Sequence, residues 1–364
     1  MSEATVISRA AQRGNAGCSR RRHVSALWLA LPLALMVAIR GDTRDTLNYV
    51  NIFKATTELP LHPLDYYAEF GVEWGFGLFS WALNTLELNS TVLFISVSAA
   101  TFFLINRTAL RLQLSFYEVM PYYLGTFFLT QQLMQIRQGL GIAFAFWMLV
   151  KFTVDKPRPL RLVLGTGVAI MIHVVSVLPL VSALFLRLWL PAPRRRNIVV
   201  WTLTVVALGI GAARVASDLQ IFELFDRLTV YASDDEYNSA RGLFDAANVR
   251  AVLLLGLLLF STKAQSVARS RVYILMLGLY ALHVGTRLGF LDFQIISGRL
   301  STAIGFAEVF LLPMAARACI KRRLLRTLVA GSFLLVHAVA TLSVQVPFLL
   351  DDYFTPIHAD YSAG

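Results

Sequence analysis

The residues with chemistry to offer in this chain are those a lipid-facing helix would not carry. Arg137 stands in Gln131-Gln132-Leu133-Met134-Gln135-Ile136-Arg137-Gln138-Gly139-Leu140, a polar patch that opens a long apolar run. On a helix its neighbours three and four positions away are Leu133, Met134, Leu140 and Gly141, so nothing local pairs with its charge, while Gln135 and Gln138 flank it. A charge at membrane depth costs about 2.5–3.5 kcal/mol on insertion scales. Arg137 therefore either snorkels to the interface or binds an anion in a cavity, and the flanking amides favour the anion. His173 falls at a break between two apolar runs, where an imidazole can take a proton from a hydroxyl or form a helix contact. His283 and Arg287 are four apart on one helix face, and Arg299 opens the next apolar block beyond Asp292. Arg287 either pairs with Asp292 or binds an anion. Arginine suits phosphate because its planar fork donates two parallel hydrogen bonds. The acidic run from Ser233 to Tyr237 reads as a solvated surface, since a cation site would need a caged geometry. No phosphate-cradling glycine loop, zinc spacing or nucleophile elbow occurs, so no metal and no cofactor is expected.

The elements that must hold these residues are set by composition. Of 364 residues 57% are apolar and 15% charged, against roughly 25% charged in a soluble chain. The apolar residues gather in blocks, which excludes a disordered chain, a disulfide-stapled domain and a cytosolic enzyme, and leaves an all-α, polytopic integral membrane bundle. Cys18 and Cys319 lie beside arginine-rich segments and are expected to stay reduced. The net charge of +11 resides in short clusters between blocks, among them Arg20 to Arg22, Lys151 to Arg161, Arg187 to Arg196, Lys263 to Arg271 and Arg317 to Arg326. That is the positive-inside pattern, not a nucleic-acid surface.

With those clusters cytoplasmic, residues 1–23 form a basic inner terminus and 24–346 a bundle of about eleven or twelve membrane helices. Residues 347–364 form an extracytoplasmic tail. Outer loops run over 40–71, where charges and aromatic rings suit interfacial helices, and over 214–248. The 72–86 block has no room to cross if Arg107 and Arg111 are inside, so it is re-entrant; alternatively it spans and places them outside. Leu160 to Leu190 makes two short helices with an outer turn near His173. All the candidate residues fall on the outer side.

In order along the chain, Asp45 and Tyr49 follow the first span and Glu73-Trp74-Gly75-Phe76 opens a short helix. Then come Gln135-Ile136-Arg137-Gln138-Gly139-Leu140, Ile172-His173, Arg227-Leu228 with Tyr231, and Ser297-Gly298-Arg299-Leu300 with Pro313 downstream. This order resembles the EpsG family of Wzy-type polysaccharide polymerases over roughly residues 24 to 346. The chain differs from the family pattern at Trp74, where proline is usual, and at Val174 and Val175, where a second histidine or small polar residue is common. The resemblance implies an enzyme of the bacterial inner membrane that takes oligosaccharide repeat units on undecaprenyl diphosphate as donor and acceptor. It would join them on the outer face without a cofactor, with a chain-length regulator as an optional partner. It also implies roles. Arg137 and Arg299, with Arg287 and Arg227 in reserve and Gln135, Gln138, Tyr49, Tyr231 and His283 around them, would bind the leaving diphosphate. His173 would be the first candidate base and Asp45 or Glu73 the second, on the expectation that desolvation raises a carboxylate pKa near the membrane. An O-antigen ligase would share the donor and the chemistry; a lipid-linked oligosaccharide flippase would need a cavity lined from both sides.

Overall fold

The computed structural model describes residues 28–43, 45–154, 159–219 and 242–357, and its regular elements are all helices. Helix α1 (Trp28–Ala38) leads into an outer segment of two short helices, α2 (Thr46–Ala55) and α3 (Pro63–Phe70). Pro63 suits the start of α3 because its missing N–H has no intrahelical partner there, and Gly71 ends it at a φ of 61°. Helix α4 (Trp74–Thr85) has 12 residues, about 18 Å of rise against a hydrocarbon core of about 30 Å, so the 72–86 block is too short to cross alone. The chain turns at Glu87, in the left-handed region, into α5 (Ser90–Arg111), whose N-terminus is capped by Asn89.

Next comes a broken rod: α6 (Phe116–Tyr123), a π-helical turn over Leu124–Phe128, and α7 (Leu129–Leu133). A capping box of Ser115 and Glu118 starts it, and Pro121, which cannot donate to the ladder, precedes the wide turn. After a break at Met134 and Gln135, α8 (Ile136–Val154) doubles back. It is followed by α9 (Pro159–Ile172), α10 (Val177–Arg187), α11 (Arg195–Asp218), α12 (Ala246–Ser261) and the short α13 (Gln265–Ala268). The chain ends with α14 (Arg271–Gly289), α15 (Gln294–Gly305), α16 (Glu308–Cys319), α17 (Arg323–Ala340) with a π-helical extension to Gln345, and α18 (Leu349–Phe354).

Among the described residues, α5, α11, α14 and α17 with its extension are long and apolar enough to cross a bilayer. The pair α15 and α16, bent by 43°, makes a fifth if taken as one span. The eleven or twelve hydropathy blocks thus include several helices too short for a perpendicular crossing, such as α1 and α12. Helix α14 is central and almost wholly buried, whereas α17 shows most of its surface to the surroundings, as a lipid-facing helix does. Phe102, Tyr123, Phe146, Phe306 and Phe310 form a shared aromatic core, with Phe146 and Phe306 centroids 5.2 Å apart and Phe102 edge-on to Tyr123 at 6.1 Å. Such pairs add about 0.5–1.5 kcal/mol each beyond their burial and lock α5, the broken rod, α8 and α15–α16 together.

At 1.5 Å per residue the 18 residues of the α6–α7 rod rise about 27 Å, so its two ends are well separated. One end carries the Gln135–Gln138 corner. The other carries Ser115, and α8 returns Lys151 to it. Arg187 donates to the Phe152 carbonyl there and Arg317 pairs with Glu118, so basic residues of these clusters sit at that end. A strap closes the first end: the Gly41 and Asp42 amides donate to the carbonyls of Tyr353 and Thr355 at 2.8 and 3.0 Å, and the Tyr353 hydroxyl donates to Met36.

Candidate active site

Glu73 is the last residue before α4 and is 8% exposed. Its Oε2 accepts a hydrogen bond from Arg137, the second residue of α8, and its Oε1 lies 2.5 Å from Nδ1 of His173. The Val174 amide donates to the same Oε1 at 3.1 Å. Burial works to raise the Glu73 pKa, but the His173 hydrogen bond, the Arg137 charge and the Val174 amide outweigh it and hold the carboxyl at about 2. An ionised carboxylate only accepts, so Nδ1 of His173 carries the proton and Nε2 is left as a lone-pair acceptor. The expectation that desolvation would raise this pKa is therefore reversed by these three partners.

Arg137 is also held by rings. Its guanidinium lies 5.7 Å from the centroids of both Tyr49 on α2 and Phe76 on α4. The sequence shows no partner for Arg137 because Glu73 reaches it from another element. Two glycines permit the close approach. A Cβ on Gly141 would fall 2.1 Å from Ser176 Oγ and 3.2 Å from His173 Cβ, and one on Gly75 would fall 2.5 Å from the Met171 carbonyl oxygen. Without them α8 and α4 could not bring Arg137 and Glu73 to the turn after α9.

A cavity of about 430 Å³ opens beside this cluster, within the range of small-molecule sites. Asp45, Tyr49, Gln135, Arg137, Gln138, His173 and Arg299 line it, so the structure brings these predicted residues together, with Glu73 bonded to two of them. Gln138 Nε2 donates to the Arg299 carbonyl at 3.4 Å, joining the start of α8 to α15. The N-terminus of α8 faces the same space and adds partial positive charge.

Other predicted residues lie elsewhere. His283 is buried between α14 and α15 with Nδ1 2.7 Å from the Ser301 carbonyl oxygen, and it does not line the cavity. Arg287 does not line it either. Its Nε donates to Asn248 Oδ1 at 2.7 Å and a second nitrogen lies 4.0 Å from Asp245, while Asp292 pairs with Arg214 instead of Arg287. The i, i+4 spacing placed both residues on one face of α14 correctly; that face looks into the bundle. Arg227 and Tyr231 lie outside the described residues.

One residue of the site, Arg40, is absent from the sequence-based candidates. It is 3% exposed, stacks on Phe94 with its guanidinium 3.8 Å from the ring centroid, and donates to the Gln132 carbonyl at 2.9 Å. Thr43 donates to the next carbonyl, that of Leu133, at 2.5 Å. Together they fix the end of α7, and with it the corner that presents Gln135, Arg137 and Gln138. Burial lowers the Arg40 pKa to about 10, with Tyr49 and Asp45 opposing, so it stays charged at neutral pH. The one signal for it in the sequence is a lone arginine at the end of the first apolar run. Among the described residues no group of three or more His, Cys, Asp or Glu is placed to hold a metal ion.

A family model described as the EpsG family matches residues 24–350. No curated relative and no solved structure matches the chain.

Proposed function

Because the chain belongs to the EpsG family, whose general role is that of a membrane polysaccharide polymerase, we propose that it transfers a growing glycan from undecaprenyl diphosphate to a hydroxyl of the next lipid-linked repeat unit. The reaction would run on the outer face of the bacterial inner membrane, with the basic end of the bundle in the cytoplasm. In this reading His173 Nε2 takes the proton of the acceptor hydroxyl as its oxygen bonds to the anomeric carbon. The bond from that carbon to the diphosphate oxygen breaks, and Arg137 and Arg299 receive the charge that develops there. Glu73 does not act as the base, because a carboxyl held at about 2 is a weak proton acceptor. It fixes the His173 tautomer, stabilises the imidazolium, and orients Arg137. Asp45 and Tyr49 line the same cavity beside Arg137 and would contact sugar hydroxyls.

The observation that carries this reading is the single carboxylate bonded to both His173 and Arg137 at the wall of an arginine-lined cavity. The test is to delete the gene and read glycan length together with the glycan carried on undecaprenyl diphosphate. Loss of long polymer with single units persisting supports the proposal, and His173→Ala expressed in that background should not restore polymer. Full-length polymer stranded on lipid indicates a ligase, and units trapped on the inner leaflet indicate a flippase.

A further inference from the structure

At the basic end a second cavity, of about 760 Å³, lies between α6, α16 and α17, remote from the first. It is lined by the polar residues Arg317, Arg323, Arg326 and Thr327 and by the apolar Pro313, Ala330 and Gly331. Arg323 and Gly331 are about 12 Å apart along α17. The space is a wedge. Helix α17 meets the rod where the Tyr122 and Phe333 rings pack at 5.0 Å. A Cβ on Gly331 would meet nothing within 4 Å.

The charges lining it are not balanced by the protein. Arg317 is neutralised by Glu118 and also donates to the Gln113 carbonyl, but among the described residues neither Arg323 nor Arg326 forms an ion pair. Both sit in the first turn of α17, where the helix dipole is positive and a cation is disfavoured. The positive-inside bias accounts for basic residues at this end. It does not account for two of them lining a cavity while Lys321 and Arg322 beside them do not. An anion in the wedge would neutralise both arginines and the helix terminus at once.

We propose that this wedge binds an anionic phospholipid of the surrounding leaflet, its phosphate between Arg323 and Arg326 and an acyl chain along Ala330 and Gly331. Charge complementarity selects the headgroup. The lipid-facing exposure of α17 gives the chain lateral entry from the bilayer.

The test uses the full chain in nanodiscs of phosphatidylglycerol mixed with phosphatidylcholine, with retained phosphatidylglycerol counted by native mass spectrometry. Arg323→Gln combined with Arg326→Gln should weaken retention roughly thirtyfold. Lys321→Gln combined with Arg322→Gln removes the same charge outside the cavity and should leave retention unchanged. Excess inorganic phosphate should not displace the lipid. Equal loss in both double variants, unchanged retention in the first, or displacement by phosphate overturns the proposal. If the first double variant does not fold, Gly331→Leu decides: it fills the wedge with the charges intact, and normal retention in it would sink the idea.

Discussion

Replacing Glu73 by Gln removes one charge and leaves the shape, and the geometry sets the consequences. An amide offers one oxygen where the carboxylate offers two, and in either orientation its NH₂ faces a donor of Arg137 or of His173. Holding the Glu73 carboxyl at about 2 instead of 4.5 corresponds to about 3 kcal/mol in favour of the ionised, folded arrangement. A depressed pKa contributes stability that is present above the ordinary value of 4.5 and is lost as pH falls toward 2. The variant should therefore be about 3 kcal/mol less stable than the parent at pH 7, and the gap should close as both are acidified below pH 4.5. Melting of the purified chain in detergent across that range reads the gap directly. Polymer formation from lipid-linked repeat units should fall by about 10²- to 10⁴-fold, as when an amide replaces the carboxylate that orients a catalytic histidine. Combined with His173→Ala, the losses should be less than additive, because Glu73 acts partly through His173. Polymerisation within about threefold of the parent, under 1 kcal/mol in barrier, would refute the reasoning. Retained activity in His173→Ala alongside a dead Glu73→Gln would make Glu73 itself the base.

The other expectations concern separate contacts. Arg137→Lys keeps a charge beside Glu73 but loses the planar fork, so turnover should drop at least about tenfold with normal insertion; near-parental polymer length on a gel would remove Arg137 from the proposed diphosphate site. Gly141→Ala drives a methyl into Ser176 and His173 and should destabilise by about 1–3 kcal/mol while abolishing polymer. Gly256→Ala on α12, with open space around it, should melt no lower than the parent. Glu118 gains its low pKa of about 2 against burial through Arg317 and Ser115. Its half-exposed pair should stabilise above pH 4.5, fade on acidification and weaken in high salt, and Glu118→Gln should erase that salt dependence in a melting series.

Much of the site was legible because charge in an oily chain is conspicuous. Arg137, His173 and Arg299 stand out from runs of leucine and valine, and the run from Gln135 to Leu140 tied them to a family. What could not be read was partnership. Glu73 meets Arg137 from 64 positions away and His173 from 100, and no local spacing encodes such contacts. His283 and Arg287 were placed on one face of α14, but a helix apolar nearly all round does not declare which face is inward. The fold was legible to the level of an all-helical membrane bundle. Helix lengths were less so, since α1 and α12 are apolar but shorter than a span. Arg40 was missed because a charge at the end of an apolar run marks a boundary as often as it marks a site.

The strap between Gly41 and Tyr353 ties the assembly of the pocket to the order of synthesis. Gly41 leaves the ribosome about 300 residues before Tyr353, an interval of roughly 15–60 s at ordinary elongation rates. Throughout that interval the segment bearing Arg40 and Thr43, which fixes the end of α7, lacks its outer clasp. If the proposed function holds, nascent chains ending before α18 should insert into the membrane yet make no polymer.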